Sequence, residues 1–512
     1  MLVKTFGSAI LGIDAIIITI EVSVTKGVNF FMVGLPDNAV KESQQRIATA
    51  LNNNGFKMPG RRIVINMAPA DIRKEGSAYD LSLAIGILAA SGQIPHEKAG
   101  SYLIMGELSL DGSLRPVRGA LPIAIKARES GFSGFILPHQ NAREAAIVKG
   151  IEVFGAGNLA EVAGFFQGTC SFQPVKVDAR KEFQESANAW DIDFADVKGQ
   201  ENVKRALEIA AAGSHNVLMI GSPGSGKTML ARRLPTILPP FTLQESLETT
   251  KIHSVAGRIG SLRSLMTCRP FRSPHSTISS AAMAGGGGTP QPGEVSLSHN
   301  GVLFLDELPE FQRSVLEVMR QPLEDRKIDI SRARYSVCYP AGFMLVASMN
   351  PCPCGYYSHP EKDCVCHPGM VQKYLNRISG PLLDRIDIHI EVVPVPFEKL
   401  SGNRNSESSS VVRERVTDAR LIQEKRFSKN GSIHCNSQMS VRMLHEYCSI
   451  DSAGKLLLKN AMHRLGLSAR AYDRILKLSR TIADLDSAID IKTNHIAEAI
   501  QYRSLDRDAW AG

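Results

Sequence analysis

The sequence predicts an α/β multidomain protein whose C-terminal end is all helical. Three observations carry this. The chain has 512 residues, whereas single domains run to roughly 100–200 residues, so about three are expected. Short apolar, β-like runs alternate with helical-period stretches up to about Pro396. From Val411 to about Arg507 only helical patterns with short breaks remain. The composition is that of a soluble globular protein, with 43% hydrophobic and 21% charged residues. The net charge of +8 leans weakly towards a polyanionic partner.

The first domain is expected over residues 1–167. It opens with β-like runs at Ala15–Val24 and Phe30–Val33, then an amphipathic stretch, Asn38–Asn53. A strand at Arg62–Met67 and a buried helix at Asp80–Ser91 follow. Then come Tyr102–Glu107, a turn at Asp111–Gly112, the helix Leu121–Ser130 and the strand Gly134–Leu137. Gly55, Pro59, Gly92 and Pro95 punctuate these elements. The apolar run Leu11–Val24 contains Asp14 and Glu21 and partly alternates, so it reads as strand rather than membrane span. Residues 168–190 are polar and weakly periodic, as in a linker. A second domain is expected over 191–396, a Ser-rich flexible connector over 397–411, and a helical domain over 412–512. No solenoid-type repeat is apparent.

The second domain carries a nucleotide signature. The apolar run Val217–Ile220 precedes Gly221, Ser222, Pro223, Gly224, Ser225, Gly226, Lys227 and Thr228, and a helical stretch begins directly after. Strand, glycine-rich loop and helix in this order form a P-loop. Glycines let backbone N–H groups turn towards phosphate oxygens, and the helix N-terminus adds partial positive charge. Lys227 is expected on the β- and γ-phosphates of ATP, and Thr228 on Mg²⁺. A second apolar run, Val302–Leu305, delivers Asp306 for Mg²⁺ and Glu307 to polarise the attacking water. A third, Phe343–Ala347, ends near Asn350, an amide able to orient that water.

Nine cysteines occur in the chain, and four of them fall within Cys352–Cys366. No secretory signal is visible, so a reducing, cytoplasmic location without membrane attachment is expected. Cys352, Cys354, Cys364 and Cys366 are then candidates for a structural tetrahedral Zn²⁺ site. His359 and His367 are possible substitutes, and free thiols are the alternative.

Several segments carry a family resemblance. Arg269–His275, Gly285–Gly288, Gly293–His299 and Gly301–Pro309 resemble the magnesium-chelatase ATPase subunit. Asn350-Pro-Cys-Pro-Cys-Gly355 and Ser379–Asp387 are closer to the ComM/YifB group of magnesium-chelatase-like AAA+ proteins. The resemblance implies a Lon-like N-terminal domain, an AAA+ core and an all-α C-terminal lid. It makes Arg385 an arginine finger acting in trans and Arg470 the sensor 2 arginine, and it implies a hexameric ring. Ser264–His299 resembles the helix-2 insert. Lys327–Tyr339 resembles the pre-sensor 1 hairpin, whose Lys327, Arg332 and Arg334 are candidate DNA contacts.

Against the Ser–Lys dyad of Lon proteases, Ala78 occupies the serine position and Leu121 the lysine position. Ser77 and Lys126 are out of register, so no peptidase activity is expected. The implied function is an ATP-driven motor on single-stranded or branched DNA, sequence-independent, of the kind used in branch migration. The basic run Arg413, Arg415, Arg420, Lys425, Arg426 and Lys429 lends modest support. The alternatives are a chelatase-type ATPase that remodels a partner for metal insertion into a tetrapyrrole, and a regulatory binding ring with little motor activity.

Overall fold

The computed structural model describes residues 1–503 except 186–190, 261–263, 289, 333–334, 358, 360, 397–405 and 430–432. It divides into two compact units. The first comprises 1–186 with 242–267 and 290–292, and the second comprises 187–241, 268–289 and 293–512.

The first unit is built on a seven-stranded mixed sheet. Its order is Phe30–Val33, Arg62–Ala68, Asp14–Thr25, Leu2–Leu11, Tyr102–Ile104, Gly134–Pro138, Glu152–Ala156. Alternate residues of a strand point to opposite faces, and here the two faces feed different cores. Ile18, Ile104, Ile136 and Phe154 enter one, with the wholly buried helix Asp80–Ala90. Leu103, Phe135, Leu137 and Val153 enter the other, with the helix Ala120–Glu129. Gly86 lets the buried helix approach the sheet, because a Cβ there would lie 2.7 Å from Cγ2 of Val22.

The strands and helices expected between Ala15 and Leu137 are present within a few residues of their predicted limits. Strands Leu2–Leu11 and Glu152–Ala156 and helix Leu159–Gln167 were not anticipated. The stretch read as linker, 168–190, contains the helix Ala179–Glu185, and Ala179 is buried in the second core.

One segment departs from the contiguous 191–396 domain. Helix Leu243–Val255 and the chain to Thr267 group with the first unit. Leu247 and Leu265 pack in the core of Leu121 and Phe135. Ser254 donates its hydroxyl to the buried Glu144 carboxylate and accepts the Gly119 N–H through its carbonyl at 3.1 Å. Burial pushes the Glu144 carboxyl up, against the opposing hydrogen bonds from Ser254, Leu121 N–H and Asn141.

The second unit has a five-stranded parallel sheet in the order Phe271–Arg272, Val302–Leu305, Met344–Met349, Val217–Ile220, Ile388–Glu391. The three inner strands are buried at every residue, as strands covered on both faces must be. The helices Ser409–Phe427, Val441–Tyr447, Ser452–Leu465, Ala469–Leu485 and Thr493–Gln501 share one hydrophobic core with this sheet. The first of them begins inside the expected connector, with Ser409 buried and accepting the Phe194 N–H at 2.7 Å. No helix among the described residues is long and apolar enough to cross a membrane.

The basic run in this helix is not a free cationic face. Arg413 donates to the Thr236 carbonyl at 2.7 Å and Arg415 to Glu208 at 2.6 Å. Arg420 is buried on the carbonyls of Ala211 and Ala212, and Arg426 pairs with Asp484. Only Lys425 and Lys429 of the six are exposed. Helical spacing turns the arginines inward at positions that a charge count treats as surface.

Asp484 is 1% exposed and holds both Arg426 and Arg480. Asp484→Ala leaves the buried Arg480 guanidinium and the partly buried Arg426 guanidinium uncompensated. It is expected to cost about 3–5 kcal/mol, read as a lower denaturation midpoint by circular dichroism.

Candidate nucleotide site

The phosphate loop leaves strand Val217–Ile220 and ends at helix Lys227–Ile237. Gly224 and Gly226 have φ of +78° and +95°, where an L side chain is strained. Gly221 is required for space, since a Cβ there would lie 2.3 Å from the Val392 carbonyl oxygen. The hydroxyls of Ser222 and Ser225 are buried and without a hydrogen-bond partner among the described residues. Orphaned donors at a helix N-terminus fit the oxygens of a bound phosphate chain.

Lys227 donates to the carbonyls of Gly221 at 2.7 Å and Ser222 at 2.9 Å, and to Oδ1 of Asn350 at 3.2 Å. Burial pushes its ammonium below the ordinary lysine value, and the charges of Asp306 and Glu307 oppose that. Thr228 donates its hydroxyl to Oδ2 of Asp306 at 2.8 Å. The hydroxyl and carboxylate offer the hard oxygens that Mg²⁺ prefers. Glu307 follows at a left-handed φ of 55°. The sheet thus brings Lys227, Thr228, Asp306 and Asn350 into direct contact, with Glu307 adjoining them in the chain.

Sequence reasoning missed Ser348. It donates its hydroxyl to Oδ1 of Asp306 and accepts the Glu307 N–H at 3.4 Å. The signal was a polar residue closing an apolar strand, next to a strand that ends in Asp-Glu. The register Leu305↔Ala347 sets the two side by side.

Arg385 and Arg470 are not part of this cluster. Arg385 precedes strand Ile388–Glu391, whose first residue pairs with Val217 and whose last pairs with Ile220. It therefore sits at the sheet edge opposite the phosphate loop. The residue is 8% exposed, and its guanidinium pairs with Glu324, donates to the Pro381 carbonyl at 2.7 Å, and keeps Nε without a partner among the described residues. The Arg385 hydrogen bond holds the Glu324 carboxyl below its ordinary value, and the charges of Arg385, Arg470 and Arg474 add to this. Arg470 is exposed in the first turn of helix Ala469–Leu485. One turn on, Arg474 pairs with the buried Asp387, which also accepts the Asn216 N–H at 2.9 Å and lies 3.5 Å from His215. Burial pushes the Asp387 carboxyl up, but Arg474, His215 and the amide outweigh it and hold it far below the carboxylate range. Glu324 and Arg474 were not anticipated; Arg474 lies four residues after Arg470, on the same helix face.

The hairpin expected at Lys327–Tyr339 forms between Lys327–Arg332 and Tyr335–Pro340. Lys327 is exposed, but Asp329 and Cys338 share the exposed face. The side chain of Arg332 and all of Arg334 lie outside the described residues.

The four sulfurs of Cys352, Cys354, Cys364 and Cys366 lie within 4.8 Å of one another. None of the four is in a disulfide. His359 is engaged otherwise, accepting the N–H groups of Glu361 and Lys362 at 3.1 Å each.

In the first unit, Ala78 and Leu121 meet in one apolar cluster. Ser77 donates to Glu107, and Lys126 lies 3.4 Å from Glu129.

A five-stranded parallel sheet with a P-loop and an Asp-Glu on strands that flank a common central strand defines a P-loop ATPase of the AAA+ class. The family described as magnesium chelatase, subunit ChlI matches residues 193–400. Its C-terminal family matches 406–503, and a family described as subunit ChlI of Mg-chelatase matches 20–141. The chain is 43% identical to the uncharacterized protein YifB of Escherichia coli, over 98% of this chain and 96% of that one. It is 44% identical to the competence protein ComM of Haemophilus influenzae, over 98% and 97%. A shorter likeness, 33% identity over 24% of this chain and 22% of the relative, links it to Lon protease 2 of Bacillus subtilis. The chain belongs to the ComM/YifB family of magnesium-chelatase-like AAA+ ATPases.

Ser348→Ala removes the hydroxyl that orients Asp306. ATPase turnover is expected to fall, or its Mg²⁺ requirement to rise, by about 10–100-fold, measured as phosphate release across a Mg²⁺ titration.

Proposed function

We propose that this protein is a ring-forming motor that hydrolyses ATP to move single-stranded or branched DNA. The observation that carries the ring is the position of Arg385. A guanidinium at the sheet edge opposite the phosphate loop is badly placed for its own ATP and well placed for a neighbour's. In this reading Lys227 and the loop amides hold the triphosphate, and Thr228 and Asp306 hold Mg²⁺. Glu307 polarises the water, Asn350 orients it, and Arg385 with Arg470 completes the next subunit's site. A hexamer is the closed assembly that the family favours.

DNA as the substrate is supported by the competence protein among the relatives and by the net charge of +8. With the arginines of helix Ser409–Phe427 engaged internally, the contact falls to the hairpin that begins at Lys327. Binding through phosphates is sequence-independent and salt-sensitive. The first unit serves as a scaffold, because Ala78 and Leu121 supply neither nucleophile nor base. We read the four clustered cysteines as a structural Zn²⁺ site. The chelatase-type alternative shares the whole ATPase core and differs only in what the ring grips.

Branched DNA is expected to stimulate ATP hydrolysis, and strand separation is expected to vanish in Lys227→Ala. An ATPase indifferent to single-stranded, duplex and branched DNA alike overturns the motor and favours the chelatase-type reading.

Arg385→Ala is expected to lower turnover by about a thousandfold or more while leaving nucleotide affinity nearly intact. Mixing it with Lys227→Ala chains is expected to restore part of the activity, because each supplies what the other's interface lacks. No recovery in phosphate release on mixing, with both variants still assembling, counts against action in trans.

A further inference from the structure

The cysteine loop is not an independent appendage of the ATPase core. Cys352 is fully buried and lies two residues beyond Asn350, the amide that accepts from Lys227. Its sulfur accepts the Tyr357 N–H at 3.3 Å, and its carbonyl accepts the Gly355 N–H at 3.0 Å. Gly355, at φ +84°, lies directly against the phosphate loop: a Cβ there would fall 2.4 Å from Cδ of Pro223. The strand before the loop is tied in as well, since the Met349 carbonyl accepts the Gly221 N–H at 3.2 Å.

Three of the sulfur–sulfur separations are 3.3, 3.6 and 3.7 Å. A tetrahedral zinc with bonds near 2.3 Å spaces its sulfurs about 3.8 Å apart. The thiols are therefore gathered almost to the dimensions of a bound ion. A short loop that brings four sulfurs together has little conformational freedom left. What it fixes here is the backbone between Asn350 and Pro223, the two points at which it meets the nucleotide site.

We propose that a thiolate-bound zinc ion at Cys352, Cys354, Cys364 and Cys366 positions the phosphate loop, so that occupancy of the metal site sets nucleotide affinity. This rests on the reading of the cluster as a zinc site, and deepens it. The path runs from the cluster through Gly355 to Pro223 and through Asn350 to Lys227. The metal takes no part in hydrolysis.

The test uses the full-length chain and two measurements, zinc content by elemental analysis and affinity for a fluorescent ATP analogue with Mg²⁺ in excess. The untreated protein is expected to carry about one zinc per chain. Stripping it with a zinc-selective chelator is expected to weaken nucleotide binding at least about tenfold, with recovery on adding zinc back. Gly355→Ala leaves every thiol in place but forces a Cβ against Pro223. It is expected to keep its zinc and still bind nucleotide more weakly. Zinc present at one per chain, with nucleotide affinity unchanged both on its removal and in Gly355→Ala, overturns the coupling and leaves the zinc site standing. Absence of zinc from protein purified under metal-replete, reducing conditions overturns the site and the coupling together. Circular dichroism of the stripped protein separates a local effect from unfolding: loss of the helical signal along with the metal also counts against the proposal.

Discussion

The register of three adjacent parallel strands is the constraint on which the site depends. Leu305 pairs with Ala347, and Ile220 with Met349, so three chains reach the same sheet edge together. At that edge each turns out its next residues: the glycine loop, Asp306–Glu307, and Ser348 to Asn350. None of these side chains contacts another by sequence proximity. A shift by one residue in any strand would misalign its buried side chains against the layers on both faces and separate the carboxylate from the hydroxyls of Thr228 and Ser348. Burial of all three strands forbids such a shift, so the core fixes the chemistry.

The same sheet separates two sets of charges. At one edge Lys227 faces two acids and an amide. At the other, Glu324 and Asp387 hold Arg385 and Arg474, with Arg470 exposed nearby. The distinction matters for cost. A buried carboxylate such as Asp387 tolerates its location only because a guanidinium, a histidine and a backbone N–H converge on it. Glu324, by contrast, is largely exposed, so solvent screens its side of the pairing with the buried Arg385. A solvent-accessible partner suits the role proposed for Arg385, in which it would exchange one anion for another when a neighbouring subunit presents its nucleotide. Helix Ala469–Leu485 ties these charges to the lid through side chains one helical turn apart.

Much of this was legible in the sequence, and the reason is local. Glycines with positive φ, apolar runs ended by acids and strand–loop–helix order are short-range signals, so the phosphate loop, Asp306 and Glu307 could be read directly. The elements between Ala15 and Leu137 followed from periodicity in the same way. What could not be read depends on distant partners. Arg413, Arg420 and Arg426 look like a cationic face until the carbonyls of Thr236 and Ala211 and the carboxylate of Asp484 are set beside them. Ser348 has no signal until its strand is paired. Helix Leu243–Val255 has an ordinary capping box, Thr242 with Glu245, and nothing local reveals that Glu144 and Leu121 are its neighbours.

The fate of Ala78 and Leu121 follows from the same physics. A hydroxyl and an ammonium facing each other in a site must be desolvated, and that cost is tolerated where it supports chemistry. An alanine and a leucine in their place bury apolar surface with Phe135 and Leu137, and stabilise what the dyad would strain. The cluster they join also receives Leu247 and Leu265 from the segment that follows the phosphate-loop helix in the chain. The position that the Lon resemblance would assign to a nucleophile is here packing for a segment that follows the phosphate-loop helix. Placing Ser and Lys at these two positions would then set polar groups into a core on which the fold of that segment rests.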